Sequence, residues 1–442
     1  MSLLEAQQLS ISDNGRYLVK EDNKPFFWLG DTAWELFHRL DREEADHYLQ
    51  ERAAQGFTVI QAVVLAEFDG LAQPNPYGQV PLFDNDPARP NEAYFEHVDY
   101  IVDRAQAHGL YVGMLPAWGD KFNRKWGVGP EIFSPETAAA YGRFLGERYR
   151  DKPVVWILGG DRVPEADAHY AIIRALARGL RQGDRGMHLM TYHPQGSRCS
   201  SEFFHGDDWL DFNMFQSGHG KVGNPNYQMV LRAYQKQPAK PVLDGEPNYE
   251  DHPINWDPAN GWFDEFDSRR AGYWSVLAGA MGHTYGNHNI WQMWTPGRVA
   301  VSSARTPWRA ALTQPGARQA GHMRALFESR SWWLLQPDQS LLRAAPEGAG
   351  RQVRVAVASD SSLVVAYTPY GASFALGLDE FSSDRLRAWW FDPRTGTHLD
   401  AGAIEPTAQT LFDPPGQETR ANDWALVLDA DQDLPPPGTK RS

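Results

Sequence analysis

Eight short apolar runs, each followed by an amphipathic and charge-flecked stretch, predict that this 442-residue chain folds as a (β/α)8 barrel. Two further observations support that reading. The runs are apolar on both faces, as strands of a parallel sheet buried under helices must be, and polar and aromatic residues collect after the runs rather than before them, as they do at the mouth of such a barrel. Beyond residue 331 the texture changes to short alternating segments, which predict a C-terminal antiparallel β-sandwich of roughly 100 residues. The predicted division is therefore residues 1–331 for the barrel with its lead-in and 332–442 for the sandwich.

Taken in order, the chain opens with two turn signals, Ser12-Asp13-Asn14-Gly15 and Glu21-Asp22-Asn23-Lys24-Pro25, which predict a hairpin closing the bottom of the barrel. Strands are expected at 26–30, 57–64, 110–115, 154–158, 188–192, 211–215, 242–245 and 282–285. Helices are expected at 42–55, 92–108, 135–150, 165–181, 226–236, 264–281 and 318–330. Ser134-Pro135-Glu136 supplies an N-cap, a first-turn proline and an acid, while Gly56 and Gly109 follow their helices as C-terminal stops. The fifth helix is poorly marked, with 200–209 as a short candidate. In the sandwich, strands are expected at 353–358, 363–367, 373–376, 386–391 and 424–428, and the tail from Asp429, with Pro435, Pro436 and Pro437, is expected to be loose.

Composition narrows the function. A formal charge of -14 with no basic run offers no footprint for nucleic acid. No stretch of 18 apolar residues is present, so no membrane partner is expected. Cys199 is the single cysteine, which excludes an intrachain disulfide and a cysteine-based zinc cage. The opening Met-Ser-Leu-Leu-Glu-Ala-Gln-Gln lacks a basic n-region and a continuous apolar h-region, so a cytoplasmic location is expected. Self-association is left open. No serine-hydrolase elbow or phosphate-binding loop is found.

The residues just past each predicted strand are chemically specific. The eight ends carry, in turn, Asp31 and Trp34; Glu67; Trp118 and Asp120; Asp161; His193; Gln216 and His219; Glu246 and Tyr249; and Asn287, His288 and Trp291. Two of these ends share a pattern. Val154-Val155-Trp156-Ile157-Leu158-Gly159-Gly160-Asp161 and Pro241-Val242-Leu243-Asp244-Gly245-Glu246 are both apolar runs that pass through glycine into an acid.

One protonated acid on a leaving oxygen and one ionised carboxylate at an anomeric carbon are what cleavage of a glycosidic bond requires. Glu246 is the predicted nucleophile and Asp161 the predicted acid/base, with the swapped assignment open; Asp244, Glu250 and Asp120 are rivals. Gly159, Gly160 and Gly245 are expected to leave room for substrate, and Asp244 to share the face of Glu246 one layer deeper. The other strand-end residues, Asp31, Trp34, Glu67, Trp118, Asp120, His193, Gln216, His219, Tyr249, His288 and Trp291, are predicted to bind substrate, the tryptophans by stacking on sugar rings. His193, His219, His283 and His288 lack the spacing of a metal site, and neither metal nor cofactor is expected.

Several of these stretches resemble the apiosidase-like glycoside hydrolases of family 140. They include Phe27-Trp28-Leu29-Gly30-Asp31-Thr32-Ala33-Trp34, Trp156-Ile157-Leu158-Gly159-Gly160-Asp161-Arg162, Phe215-Gln216-Ser217-Gly218-His219 and Asp244-Gly245-Glu246-Pro247-Asn248-Tyr249-Glu250. Met190-Thr191-Tyr192-His193-Pro194 and Gly282-His283-Thr284-Tyr285-Gly286 belong to the same set. The sandwich resembles that family's C-terminal domain, sometimes labelled collagen-binding, although nothing in the sequence supports a collagen partner. The resemblance implies a retaining, exo-acting enzyme that removes a β-linked apiose-like furanose from plant-derived glycosides, with the same two acids in the same roles. Its alternatives are another furanosidase, for arabinofuranose or galactofuranose, or a glycan-binding protein without catalysis.

Overall fold

A computed structural model describes residues 8–381 and 383–439. Its centre is a parallel barrel of Trp28–Thr32 (β1), Val59–Leu65 (β2), Tyr111–Ala117 (β3), Val154–Gly159 (β4), Met190–His193 (β5), Asn213–Phe215 (β6), Val242–Asp244 (β7) and Gly282–Tyr285 (β8). Six strands pair in the order β8-β1-β2-β3-β4-β5, and β6 pairs with β7. Single backbone bonds close the two seams: Asp211 N–H donates to Met190 O at 2.9 Å, and Met281 N–H donates to Val242 O at 3.0 Å.

Alternation along the strands sorts the apolar residues into two cores. Trp28, Val59, Val63, Leu115, Val155, Ile157, Met214 and Leu243 point inward and fill the barrel. Small residues make room for large ones: a Cβ on Gly113 would lie 2.9 Å from Ile157 Cδ1. Leu29, Ile60, Ala62, Val112, Trp156 and Leu158 point outward against the helices. Those helices are Arg42–Ala54 (α1), Glu92–Ala107 (α2), Pro135–Tyr149 (α3), Asp167–Gly183 (α4), Asn226–Tyr234 (α5), Glu265–Val276 (α6) and Pro315–Glu328 (α7). Ser134 caps α3 as predicted, with Pro135 in the first turn. The pair α3 and α4 pack backbone to backbone, because a Cβ on Gly179 would meet Ala139 O at 2.2 Å and one on Gly146 would meet Leu180 O at 2.4 Å.

Three differences from the sequence reading have physical causes. The lead-in is a three-stranded sheet of Leu9–Ile11, Leu18–Lys20 and Pro25–Phe26, which uses residues 25–26 and so delays the first barrel strand to Trp28. The 200–209 segment forms only the turn Ser200–Glu202, because its start is tied to β6 by the Met214 N–H bond to Ser200 Oγ at 3.0 Å. Up to Thr439 the tail is not loose, since Gly438 N–H donates to Ser329 Oγ and Arg330 Nη2 donates to Pro435 O, both at 2.9 Å, while 440–442 lie outside the described residues.

In the sandwich, a six-stranded antiparallel sheet faces a three-stranded one. The five predicted strands are present, joined by Leu335–Pro337, Leu342–Ala344, His398–Ile404 and Thr410–Phe412. Three of these are only three residues long, and His398–Ile404, though its Leu399, Ala401 and Ala403 alternate, is largely exposed and buries neither face. The sandwich grips the barrel through α6 and the end of α7. Arg269 pairs with Asp423 at 2.6 Å and Arg330 with Asp429 at 2.8 Å, all four side chains buried, while the rings of Tyr273 and Tyr367 stack at 4.6 Å. Helix α6 follows the long loop that carries Glu246, so the sandwich steadies one wall of the mouth.

Candidate active site

A cavity of about 520 Å³ opens at the C-terminal ends of the strands. Nine predicted residues line it: Trp34, Glu67, Trp118, Asp161, Gln216, His219, Glu246, Tyr249 and Trp291. They meet there because each sits just past the end of its own strand, where the barrel converges.

Glu246 lies in the cavity floor between two imidazoles. His219 Nε2 is 2.9 Å from Oε1, and His193 Nε2 is 3.2 Å from Oε2, the latter at an angle too oblique for a full hydrogen bond. The other nitrogen of each ring fixes the tautomer. His193 Nδ1 accepts from Asp161 N–H and His219 Nδ1 from Tyr249 N–H, each at 3.4 Å, which leaves the proton of both rings on Nε2, facing the carboxylate. Burial acts to raise the pKa of Glu246, but these two imidazoles outweigh it and bring the group down to about 2.

Asp161 is held differently. Its backbone adopts φ +56°, in the left-handed region, and its side chain remains 24% exposed in the cavity. Arg162 Nη1 stands 3.6 Å from Oδ2, a weak contact. Burial and the nearby charge of Glu246 raise its pKa to about 7, against smaller opposing effects of His193, Arg162 and the Trp126 N–H. Two acids in one cavity are thus pushed in opposite directions, which is how a site divides acid and base roles between like groups. Glu67, on a third wall, is raised well above the carboxylate range by burial and then by the carboxylates of Asp161, Glu35 and Asp120.

The glycines beside the acids make room for protein, not for substrate. A Cβ on Gly159 would lie 2.5 Å from His193 O, one on Gly160 would lie 2.9 Å from Gly119 N, and one on Gly245 would lie 2.6 Å from Met214 Sδ. Gly159 and Gly160 also have φ of +94° and +106°, which turn the chain so that Asp161 enters the mouth. Asp244 does not share the face of Glu246. It points to the helix layer, accepting from Ser217 Oγ at 2.6 Å and Asn226 Nδ2 at 3.1 Å, because the chain turns at Gly245 and breaks the strand alternation. Glu250 braces the fold, accepting from Tyr285 Oη at 2.5 Å and from Gly316 N–H at 3.1 Å.

Four predicted substrate contacts lie outside the cavity lining. Asp31 falls on the outward side of β1, where it accepts from Tyr48 Oη at 2.5 Å and Arg52 Nε at 2.6 Å, fully buried. Asp120 is buried under its own loop, taking Lys121 Nζ at 2.8 Å and Gly129 N–H at 2.8 Å. His193 works beneath Glu246. His288 points away, with Nε2 3.1 Å from the carbonyls of Val301 and Ser302 and Nδ1 accepting from Trp291 Nε1 at 3.3 Å, so it positions Trp291. Phe68, Trp126, Gln195, Trp256 and Ser302 line the cavity without having been predicted. Trp126, Trp256 and Ser302 sit well inside long loops, whereas Phe68 and Gln195 lie only three and two residues past β2 and β5 and were passed over beside Glu67 and His193.

An acid pair with aromatic walls at this end of a (β/α)8 barrel makes the protein a glycoside hydrolase. Solved structures agree: one named "Glycoside hydrolase" is 32% identical, with a TM-score of 0.88 and coverage of 97% of this chain and 98% of that one. A glycoside hydrolase family 5 structure from Bacteroides vulgatus ATCC 8482 is 33% identical, again with a TM-score of 0.88, covering 96% of this chain and 92% of its own. Within that class the chain belongs to the apiosidase-like family, whose catalytic domain ("Apiosidase-like, catalytic domain") matches residues 12–334. Residues 336–429 match the family described as "Putative collagen-binding domain of a collagenase". Comparison with curated proteins gave no match.

Proposed function

We propose that this glycoside hydrolase removes a terminal, β-linked, apiose-like furanose from plant-derived glycosides by double displacement, with Glu246 as nucleophile and Asp161 as acid/base. The observation that carries the assignment is the opposite tuning of the two acids. Glu246, ionised and fixed by His193 and His219, attacks the anomeric carbon. Asp161, protonated below about pH 7, gives its proton to the leaving oxygen. In the second half-reaction the Asp161 carboxylate takes a proton from water, the water oxygen displaces Glu246 from the anomeric carbon, and the sugar leaves with its configuration retained. Buried Gln216 Oε1 has no protein partner among the described residues, so a sugar hydroxyl can satisfy it. The preference for apiose rests on the family, whose name carries that activity.

The test is a panel of aryl β-apiofuranosides, α-arabinofuranosides and β-galactofuranosides, with product stereochemistry followed by NMR from the first turnover. Turnover of the apioside with retention is expected. Inversion would overturn the mechanism, and turnover only of another furanoside would overturn the sugar.

A further inference from the structure

The geometry points to a second subsite at the rim of the cavity, formed by Trp126 and Trp256, that takes a leaving group bearing an electron-rich aromatic ring. This inference rests on Asp161 acting as the acid. Whatever that acid protonates is the leaving oxygen, so the wall beside Asp161 is the leaving-group side. Trp126 stands on that wall, lining the cavity with Asp161 and lying against Arg162, the next residue in the chain.

Both tryptophans line the cavity, yet Trp126 is 59% exposed and Trp256 49%. Aromatic rings left open at the mouth of an otherwise well-packed site mark a place for a ligand. Neither is a loose surface side chain. The guanidinium of Arg162 lies against the Trp126 ring, 4.1 Å from its centroid, and is itself held by the Asn123 carbonyl at 3.0 Å and the Asp161 carbonyl at 2.8 Å. Trp256 is held by its backbone. It and Asn255 have φ of +64° and +53°, a conformation that bulky residues rarely adopt, maintained by the bond from Asn255 N–H to His219 O at 2.8 Å. The Trp256 ring also packs edge-to-face on His252 at 4.5 Å and on His219 at 5.6 Å.

Electrostatics selects the ligand. Arg162 at 4.1 Å and the Lys125 ammonium at 5.3 Å draw π-density from the Trp126 ring. The C–H patches of a further sugar carry slight positive charge and stack best on an electron-rich face, so they gain little here. A phenolic or other electron-rich ring stacks better on a ring depleted in this way.

The experiment uses 2-phenylethyl and 2-cyclohexylethyl glycosides of whichever sugar the protein turns over best, since these leaving alcohols are similarly basic and make the same demand on the acid. The wild type should show a kcat/KM about tenfold higher on the phenylethyl glycoside, near the upper end of what one aromatic stacking contact contributes. Trp126→Ala and Trp256→Ala should each erode that preference, whereas Trp126→Phe, which keeps a ring but removes the N–H, should retain most of it. Equal wild-type values, or a preference untouched by both alanine variants, would overturn the subsite. Asp161→Asn on the same two glycosides separates this inference from its premise. Loss of turnover on both without any aromatic preference sinks only the subsite, while retained turnover on both sinks the acid role. Binding of 4-methoxyphenol against 4-methoxycyclohexanol, titrated by NMR, reads the same preference without turnover, and equal affinity there also counts against it.

Discussion

The ends of β4 and β7 look alike in sequence and behave in opposite ways in the fold. At the end of β7, Glu246 is nearly enclosed and faces two imidazole Nε2–H groups. At the end of β4, Asp161 is open to the cavity, sits on a left-handed backbone and is paired weakly with Arg162, at 3.6 Å. An apolar strand, a glycine and an acid specify a location, not a protonation state. The state comes from which side chains the neighbouring strands deliver: β5 and β6 bring His193 and His219 to Glu246, and nothing equivalent reaches Asp161.

The most severe way to break this contrast is Glu246→Ala, which removes the ionised partner. A loss of turnover of about 10⁴-fold or more is expected, with azide restoring activity and giving a glycosyl azide of inverted configuration. Asp161→Asn comes next. It should cost about 10²- to 10⁴-fold on substrates with basic leaving groups and much less on activated aryl glycosides, as steady-state kinetics on a leaving-group series will read. Asp31 is a third strand-end acid but is sealed behind β1, so Asp31→Ala should leave KM unchanged. The variant should lose about 3 kcal/mol or more of stability in chemical denaturation, since Arg52 is left buried and unpaired.

Smaller effects sharpen the comparison. His219→Ala removes the better-aligned of the two N–H groups facing Glu246, so its pKa should rise toward the ordinary value of about 4.3. The acid limb of the kcat/KM profile should move up with it, and the rate at neutral pH should fall about 10- to 100-fold, the worth of one hydrogen bond to a charge. On the proposed mechanism, wild-type activity requires Glu246 ionised and Asp161 protonated. The profile should therefore hold through mildly acidic pH and fall as pH rises through about 7, where Asp161 loses its proton. A profile flat to pH 9 would show that Asp161 does not set the alkaline limb.

Much of the barrel was legible because its signals are local. Periodicity marked all eight strands, and Ser134-Pro135 marked the start of α3. Much of the site was legible just past the strand ends, as with Trp34, Glu67, Trp118, Asp161, Gln216 and Glu246. Reading failed at two kinds of place. Asp31 was read as a mouth residue and Asp244 as sharing the face of Glu246 one layer deeper, but side-chain direction near a strand end depends on register and on where the chain turns. Trp126 and Trp256 were missed because long loops carry no periodicity to place them.

By itself, the sequence determined a barrel, a sandwich and two acids at one rim, since strand period, glycine turns and capping residues act over a few neighbouring positions. Only the tertiary structure decided what those acids are. The pKa of a buried carboxylate depends on desolvation and on charges and donors within a few ångströms, and for Asp161 and Glu246 these arrive from strands and loops tens of residues away in the chain.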